Sequence, residues 1–239
     1  QVFAAKGPSV LVYAVASTYE RSAGRFQHAL LAVYRSNAGG DQGTWQTRAT
    51  NADPKRLNTI ILSNPYSATC FGSTDTVGQA WHNNTAAVDP LDFNRLWVGG
   101  VDAFRSDDGG QNFGQASLWW ISQNRPEYAH ADHHAFVFHP DYDGASNRRM
   151  FAVTDGGVFR TDDARAPVAT GPGAACDIET IGVNWMPSAK PLKVMSAVPV
   201  AAAVATIEVA SHFASVIGLL ASAVFQYSPS ETSGCGVVG

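Results

Sequence analysis

At 239 residues, with 15% charged and 10% aromatic residues, 22 Gly and 12 Pro, the chain has the balance of short strands and tight turns rather than of long charged helices. It is long enough to bury a real core. A formal charge of −4 and the lack of any Lys/Arg run exclude a phosphate-tracking basic face, so no nucleic-acid partner is expected.

The chain opens at Gln1 with neither Met nor a basic-then-apolar leader, which fits a mature form after signal removal or a cut chain. A first pair of strands is expected from Val10 to Ala16 and from Ala29 to Ser36, the second ending Tyr34-Arg35-Ser36. A degenerate turn follows, with Asp41, Gly43, Thr44 and Trp45. The middle of the chain gives the same order of features in full. The acidic turn Asp89-Pro90-Leu91-Asp92 leads into an apolar strand, a Gly99-Gly100 kink and Ala103-Phe104-Arg105-Ser106. Then comes Ser106-Asp107-Asp108-Gly109-Gly110-Gln111-Asn112-Phe113, of the form Ser/Thr-x-Asp-x-Gly-x-x-Trp/Phe. Its Asp108 carboxylate is suited to accept amides of its own turn, Gly110 to supply a positive φ, and Phe113 to plug the hairpin into the core. A third copy runs through His139-Pro140-Asp141 and Met150–Thr154, then Gly156-Gly157 and Phe159-Arg160-Thr161-Asp162-Asp163. It lacks the closing Gly, and its aromatic is assigned to the distant Trp185.

Repeats of this length, each an apolar strand, a turn, a second strand and a hairpin, predict an all-β fold of four-stranded β-propeller-type blades, about three in number. The blades are assigned to residues 1–188. From 189 to 239 the sequence turns Ala/Val-rich and loses every blade feature, with Glu208 and His212 the main polar interruptions of an apolar stretch. Three readings of this atypical tail stay open: a membrane span, apolar structure packed on the blades, or a segment that is not the natural continuation of the repeats. A membrane is expected as a partner only through it. Cys70, Cys176 and Cys235 form no Cys-x-x-Cys pair; one disulfide with a thiol left over and three buried thiols are both compatible with their spacing.

On the residues Ser106, Asp108, Gly110 and Phe113, with the matching strands upstream, the chain from roughly Pro8 to Trp185 resembles the Asp-box (bacterial neuraminidase repeat) propellers. That superfamily includes sialidases, xyloglucan-cleaving endoglucanases and sortilin-type receptors. The stretches Gly78-Gln79-Ala80-Trp81, Ala87-Val88-Asp89-Pro90 and His130-Ala131-Asp132-His133-His134-Ala135-Phe136 are similar to those of secreted bacterial sialidase- or glycosidase-like members. The resemblance implies the fold and a secreted, extracellular or periplasmic setting, and a reaction only weakly, because one propeller serves enzymes and binders alike. Closed propellers of these relatives carry about six or more blades, so other chains completing the propeller join the expected partners.

Several residues carry candidate chemistry. On an extended strand His130, Asp132 and His134 share one face and are the predicted ligands of a divalent metal, the one cofactor considered; the competing reading has them bonding between blades. Thr154-Asp155-Gly156-Gly157 resembles the stretch that carries a catalytic Asp in the xyloglucan-cleaving enzymes, one residue shorter here. Asp155 is therefore the candidate base, and Asp102 and Glu127 are candidates for the second carboxylate that hydrolysis with inversion needs. Trp81, Trp119 and Trp120, together with Trp97, are candidate sugar-stacking residues. Two functions follow: a glycan-directed, glycoside hydrolase-like propeller, or a non-catalytic propeller that binds protein or carbohydrate as a scaffold on a cell surface or in an extracellular assembly.

Overall fold

The computed structural model describes residues 2–5 (backbone), 11–19, 27–70, 78–171, 173–177 and 180–188. All belong to the first of the two units into which the chain divides, 1–193. The tail from 189 to 239, and Cys235 with it, lies outside the described residues.

Among these residues the fold is all-β, with three four-stranded antiparallel sheets in sequence order along the chain. The first holds β1 (Val2–Ala5), β2 (Leu11–Ser17), β3 (Leu30–Ser36) and β4 (Trp45–Thr50). The second holds β5 (Thr85–Asp89), β6 (Asp92–Gly99), β7 (Ala103–Ser106) and β8 (Gly114–Gln115). The third holds β9 (His133–Phe138), β10 (Met150–Thr154), β11 (Gly157–Thr161) and β12 (Met186–Pro187). Strands are short because Gly, Pro and Asx punctuate the chain every few residues. The first strands of successive sheets lie side by side, β1 with β5 and β5 with β9, so the sheets are arranged as propeller-type blades.

The repeat extends to the register. On the second and third strands of each sheet, Val12 faces Ser36, Leu96 faces Ser106 and Met150 faces Thr161. One step inward an aromatic faces an arginine every time: Tyr13 and Arg35, Trp97 and Arg105, Phe151 and Arg160. Two of these pairs stack a guanidinium on a ring, at 5.6 Å for Arg35 on Tyr13 and 5.5 Å for Arg105 on Trp97. The Arg-Ser/Thr part of the element is thus the arginine of a cross-strand aromatic–arginine pair followed by a turn-capping hydroxyl.

That hydroxyl closes the hairpin. Ser106 Oγ accepts the amides of Asp108 (3.3 Å) and Gly110 (2.8 Å), and the Asp108 carboxylate accepts those of Gln111 (3.0 Å) and Asn112 (2.9 Å). Gly109 and Gly110 both have positive φ, and Phe113 is buried. In the first sheet Ser36 Oγ accepts the amides of Ala38 and Gly40 in the same way, with Gly39 and Gly40 at positive φ. The degenerate copy is therefore aligned differently from the sequence expectation. Ala38, not Asp41, stands where Asp108 stands, and Trp45 closes the turn two residues late with its indole N–H on Gly40 O.

Between the first and second sheets, α1 (Arg56–Thr59) and α2 (Pro65–Thr69) flank the fully buried Ile60, Ile61 and Leu62. Asn64 caps α2 through the Ser67 amide, with Pro65 at the first position, where the missing N–H is harmless. A disulfide joins Cys70 to Cys176, which resolves the cysteine pairing that sequence left open.

Burial pushes the Asp108 carboxyl up, but hydrogen bonds from Asn112, Ser106 and Gln111 outweigh it and hold it below the ordinary Asp value. A depressed folded value means stability present above the ordinary carboxylate range and lost as pH falls through it. Asp108→Ala should therefore lower stability by about 1–3 kcal/mol at neutral pH, the usual cost of orphaned turn donors. The gap between variant and wild type should narrow on acidification; chemical denaturation at pH 7 and pH 3 measures both.

Candidate functional site

The Gly78–Trp81 segment is fixed from its first residue. The Gly78 backbone runs between Leu62 O and His28 O, where a Cβ would sit 2.3 and 2.4 Å away, so only glycine fits. The Ala80 amide donates to His28 O (2.9 Å), and the amides of His82 and Asn83 then turn back onto Gln79 O (2.7 and 3.1 Å). This tight turn pushes Trp81 and His82 outward just before β5 begins, and the Trp81 residue is left 66% exposed.

Asp132 clasps that turn from the other side. It precedes β9 and adopts a left-handed backbone conformation, φ 67°, uncommon for a residue with a side chain. Its amide donates to Val101 O (3.2 Å), and the next amide, of His133, to Gly100 O (2.9 Å). Its carboxylate accepts from Gln79 Nε2 and from Asn83 Nδ2, the latter at 2.5 Å. Its carbonyl accepts the Asp155 amide at 3.3 Å. One residue thus ties together the turn that carries His82, the start of β9 that carries His134, and the β10–β11 turn that carries Asp155.

The three side chains meet there. Asp155 Oδ1 lies 2.6 Å from His134 Nε2, and Oδ2 lies 3.2 Å from His82 Nε2. The two imidazoles are edge-on at 4.9 Å, and the Trp81 ring lies 5.5 Å from that of His82. The hydrogen bond from His134 holds the Asp155 carboxyl below its ordinary value; slight burial opposes it, and His82 adds to the lowering. Asp155 is thus an exposed, ionised acceptor with an aromatic surface nearby.

The metal set expected from sequence is not the one brought together. His130, Asp132 and His134 share a face only if the strand reaches back to His130, but β9 begins at His133 and the left-handed Asp132 breaks the alternation. His130 packs over Gly156, where a Cβ would meet its ring at 2.3 Å. Asp132 is engaged with amides, and His134 turns to His82 and Asp155. His82 was missed by sequence; its signal was its place directly after Gly-Gln-Ala-Trp.

The other candidates are placed elsewhere. Asp102 is fully buried, accepting from Ser117 Oγ (2.9 Å) and Gln115 Nε2 (3.2 Å); burial pushes its carboxyl up to about 8. Glu127 is buried and paired with Arg125 at 3.3 Å. Neither is open to a glycan lying over Asp155. Trp119 donates to Asn64 Oδ1 (3.3 Å), and Trp120 stacks on Tyr66 (4.2 Å) while donating to Ala175 O (3.1 Å), so both serve the α2 region. Trp97 is fully buried. Of the tryptophans considered for sugar stacking, Trp81 is the one that sits beside Asp155's partners.

No family model matches the chain, and no curated protein matches it. Among solved structures it is similar to the GH74 xyloglucanase from Xanthomonas campestris, with 22% identity over 76% of this chain and 22% of that one and a TM-score of 0.39. It is also similar to the GH74 enzyme from Niastella koreensis, with 13% identity over 66% and 16% of the two chains and a TM-score of 0.32. The chain thus spans less than a quarter of the length of either protein.

Buried Asp102 generates a pH signature. Its folded value stands above the ordinary one, so its contribution is full at low pH and is lost as pH rises towards about 8. His133, fully buried and pushed down to about 4 mainly by burial, acts in the opposite sense and only below the ordinary His range. Between pH 6.5 and 8, Asp102 is therefore the group to follow. The fall in Tm of the wild-type chain over that interval should flatten in Asp102→Asn, as followed by circular dichroism.

Proposed function

We propose that the chain is part of an exported Asp-box propeller that binds glycans through Trp81, His82, His134 and Asp155. The observation that carries this reading is Trp81, 66% exposed beside two imidazoles and an ionised carboxylate. An exposed indole costs apolar hydration unless a ligand covers it, and the C–H face of a sugar ring covers it well, while ring hydroxyls find acceptors and donors at Asp155, His82 and His134. The Ser106–Phe113 turn supports the Asp-box assignment, and the Cys70–Cys176 disulfide supports an oxidising, extracytoplasmic setting.

Binding is favoured over hydrolysis. Cleavage of a glycosidic bond needs a second carboxyl group across the sugar, and the two residues considered for that role, Asp102 and Glu127, are buried. Retention on immobilised polysaccharides, with titration calorimetry on soluble oligosaccharides, tests the reading. Trp81→Ala should weaken binding at least tenfold and Asp155→Asn several-fold, with no reducing ends released by the wild type. Release of reducing ends that Asp155→Asn abolishes would move the assignment to a hydrolase. Binding unaffected by Trp81→Ala, or no glycan binding at all, would leave the protein-scaffold function in its place.

A further inference from the structure

We propose that His82, His134 and Asp155 form a binding site for one divalent transition-metal ion of the zinc class. The inference does not rest on the glycan reading. The two imidazole nitrogens and a carboxylate oxygen all lie within 4.8 Å of one another. Metal–ligand bonds of about 2.0–2.1 Å in tetrahedral geometry place donors roughly 3.4 Å apart. His82 Nε2 lies 3.2 Å from Asp155 Oδ2 and His134 Nε2 2.6 Å from Asp155 Oδ1, so side-chain shifts on the order of 1 Å bring both imidazoles and the carboxylate to that spacing. Side-chain exposures of 38%, 32% and 42% for His82, His134 and Asp155 give an ion a path from solvent and leave a further coordination position for water.

Chemistry selects the ion class. Two imidazoles and one carboxylate suit zinc and its neighbours, whereas calcium and magnesium take oxygen shells. When a dication displaces the protons that link the two Nε2 atoms to Asp155, each imidazole keeps its proton on Nδ1 and one ion satisfies both Nε2 lone pairs and the carboxylate.

The support behind the ligands is what separates this cluster from three neighbouring surface side chains. Asp132 accepts from Gln79 and Asn83, the residues that bracket the Trp81-His82 turn, and its carbonyl takes the Asp155 amide. It lies two residues before His134, in a conformation that breaks the strand and re-aims the chain there. All three ligand-bearing segments are therefore referenced to one residue, as a site that must hold donors in place requires.

The test uses the untagged full chain, stripped with a chelator and titrated with zinc chloride by calorimetry and with cobalt chloride by optical absorption. The expected result is one ion per chain, with a cobalt spectrum of the intense low-coordination type and a Tm that rises with zinc and falls back with chelator. His82→Ala, His134→Ala and Asp155→Asn should each weaken zinc binding tenfold or more. His139→Ala, in the turn after β9, should leave it unchanged. Asp132→Asn is a positioning variant; weaker zinc binding at an unchanged cobalt spectrum is its expected signature. Absence of binding, or binding that His82→Ala and His134→Ala both leave intact, overturns the proposal. The wild-type cobalt spectrum decides the ligand class even if a variant fails to fold: the pale spectrum of the hexa-aquo ion would also overturn it. Because no sugar is present, failure here and failure of glycan binding are separate outcomes.

Discussion

A turn folded between two β-sheets leaves its carbonyls out of reach of water, and each must find a donor within the protein. Here arginines of one sheet supply the donors for the next. Arg48 of β4 donates to Asp108 O and Gly109 O, and Arg105 of β7 donates to Ala164 O and Ala166 O. A guanidinium with several fixed N–H groups suits this work, since one side chain can satisfy two carbonyls and still pair with a carboxylate. Arg105 does so through a two-pronged contact with Asp107, at 2.8 and 2.9 Å. Asp89 makes a second joint, between β5 and the third repeat. Its burial raises the cost of charge, but Tyr142, the Leu91 amide, Arg165 and Arg95 more than compensate and keep it ionised. A buried carboxylate with a single partner would be a liability; one with four locks two repeats together.

The candidate site has a constraint of its own, the left-handed Asp132. A non-glycine residue in that region costs about 1 kcal/mol and persists only where its surroundings over-determine it. Here the surroundings are its amide on Val101 O, its carbonyl on Asp155 N and its carboxylate on Gln79 and Asn83. The chain accepts local strain at Asp132 and in return holds three separate turns in register.

The sequence made the repeat legible because backbone chemistry dictates it. Arg-Ser/Thr recurs since an arginine facing an aromatic on the strand before it and a turn-capping hydroxyl are needed at the same place in each sheet. The Ser106–Phe113 turn was readable residue by residue. The first copy was misaligned because replacing the carboxylate by Ala38 deletes the letter that identifies the pattern, while the Ser36 hydroxyl and two positive-φ glycines keep the backbone shape. Strand alternation failed at His130–His134 for a related reason. It presumes extended backbone, and a single left-handed residue invalidates it. His82 became part of the site through contacts to residues 134 and 155, and Asp102 left the candidate list through burial. Both are consequences of tertiary packing that no local spacing encodes.

Burial keeps two ionisable groups of the interior uncharged. Asp102, raised to about 8, and His133, lowered to about 4, are both neutral near pH 7, one as the acid and the other as the free base. Asp155 at the surface, by contrast, is held ionised by its histidine partners.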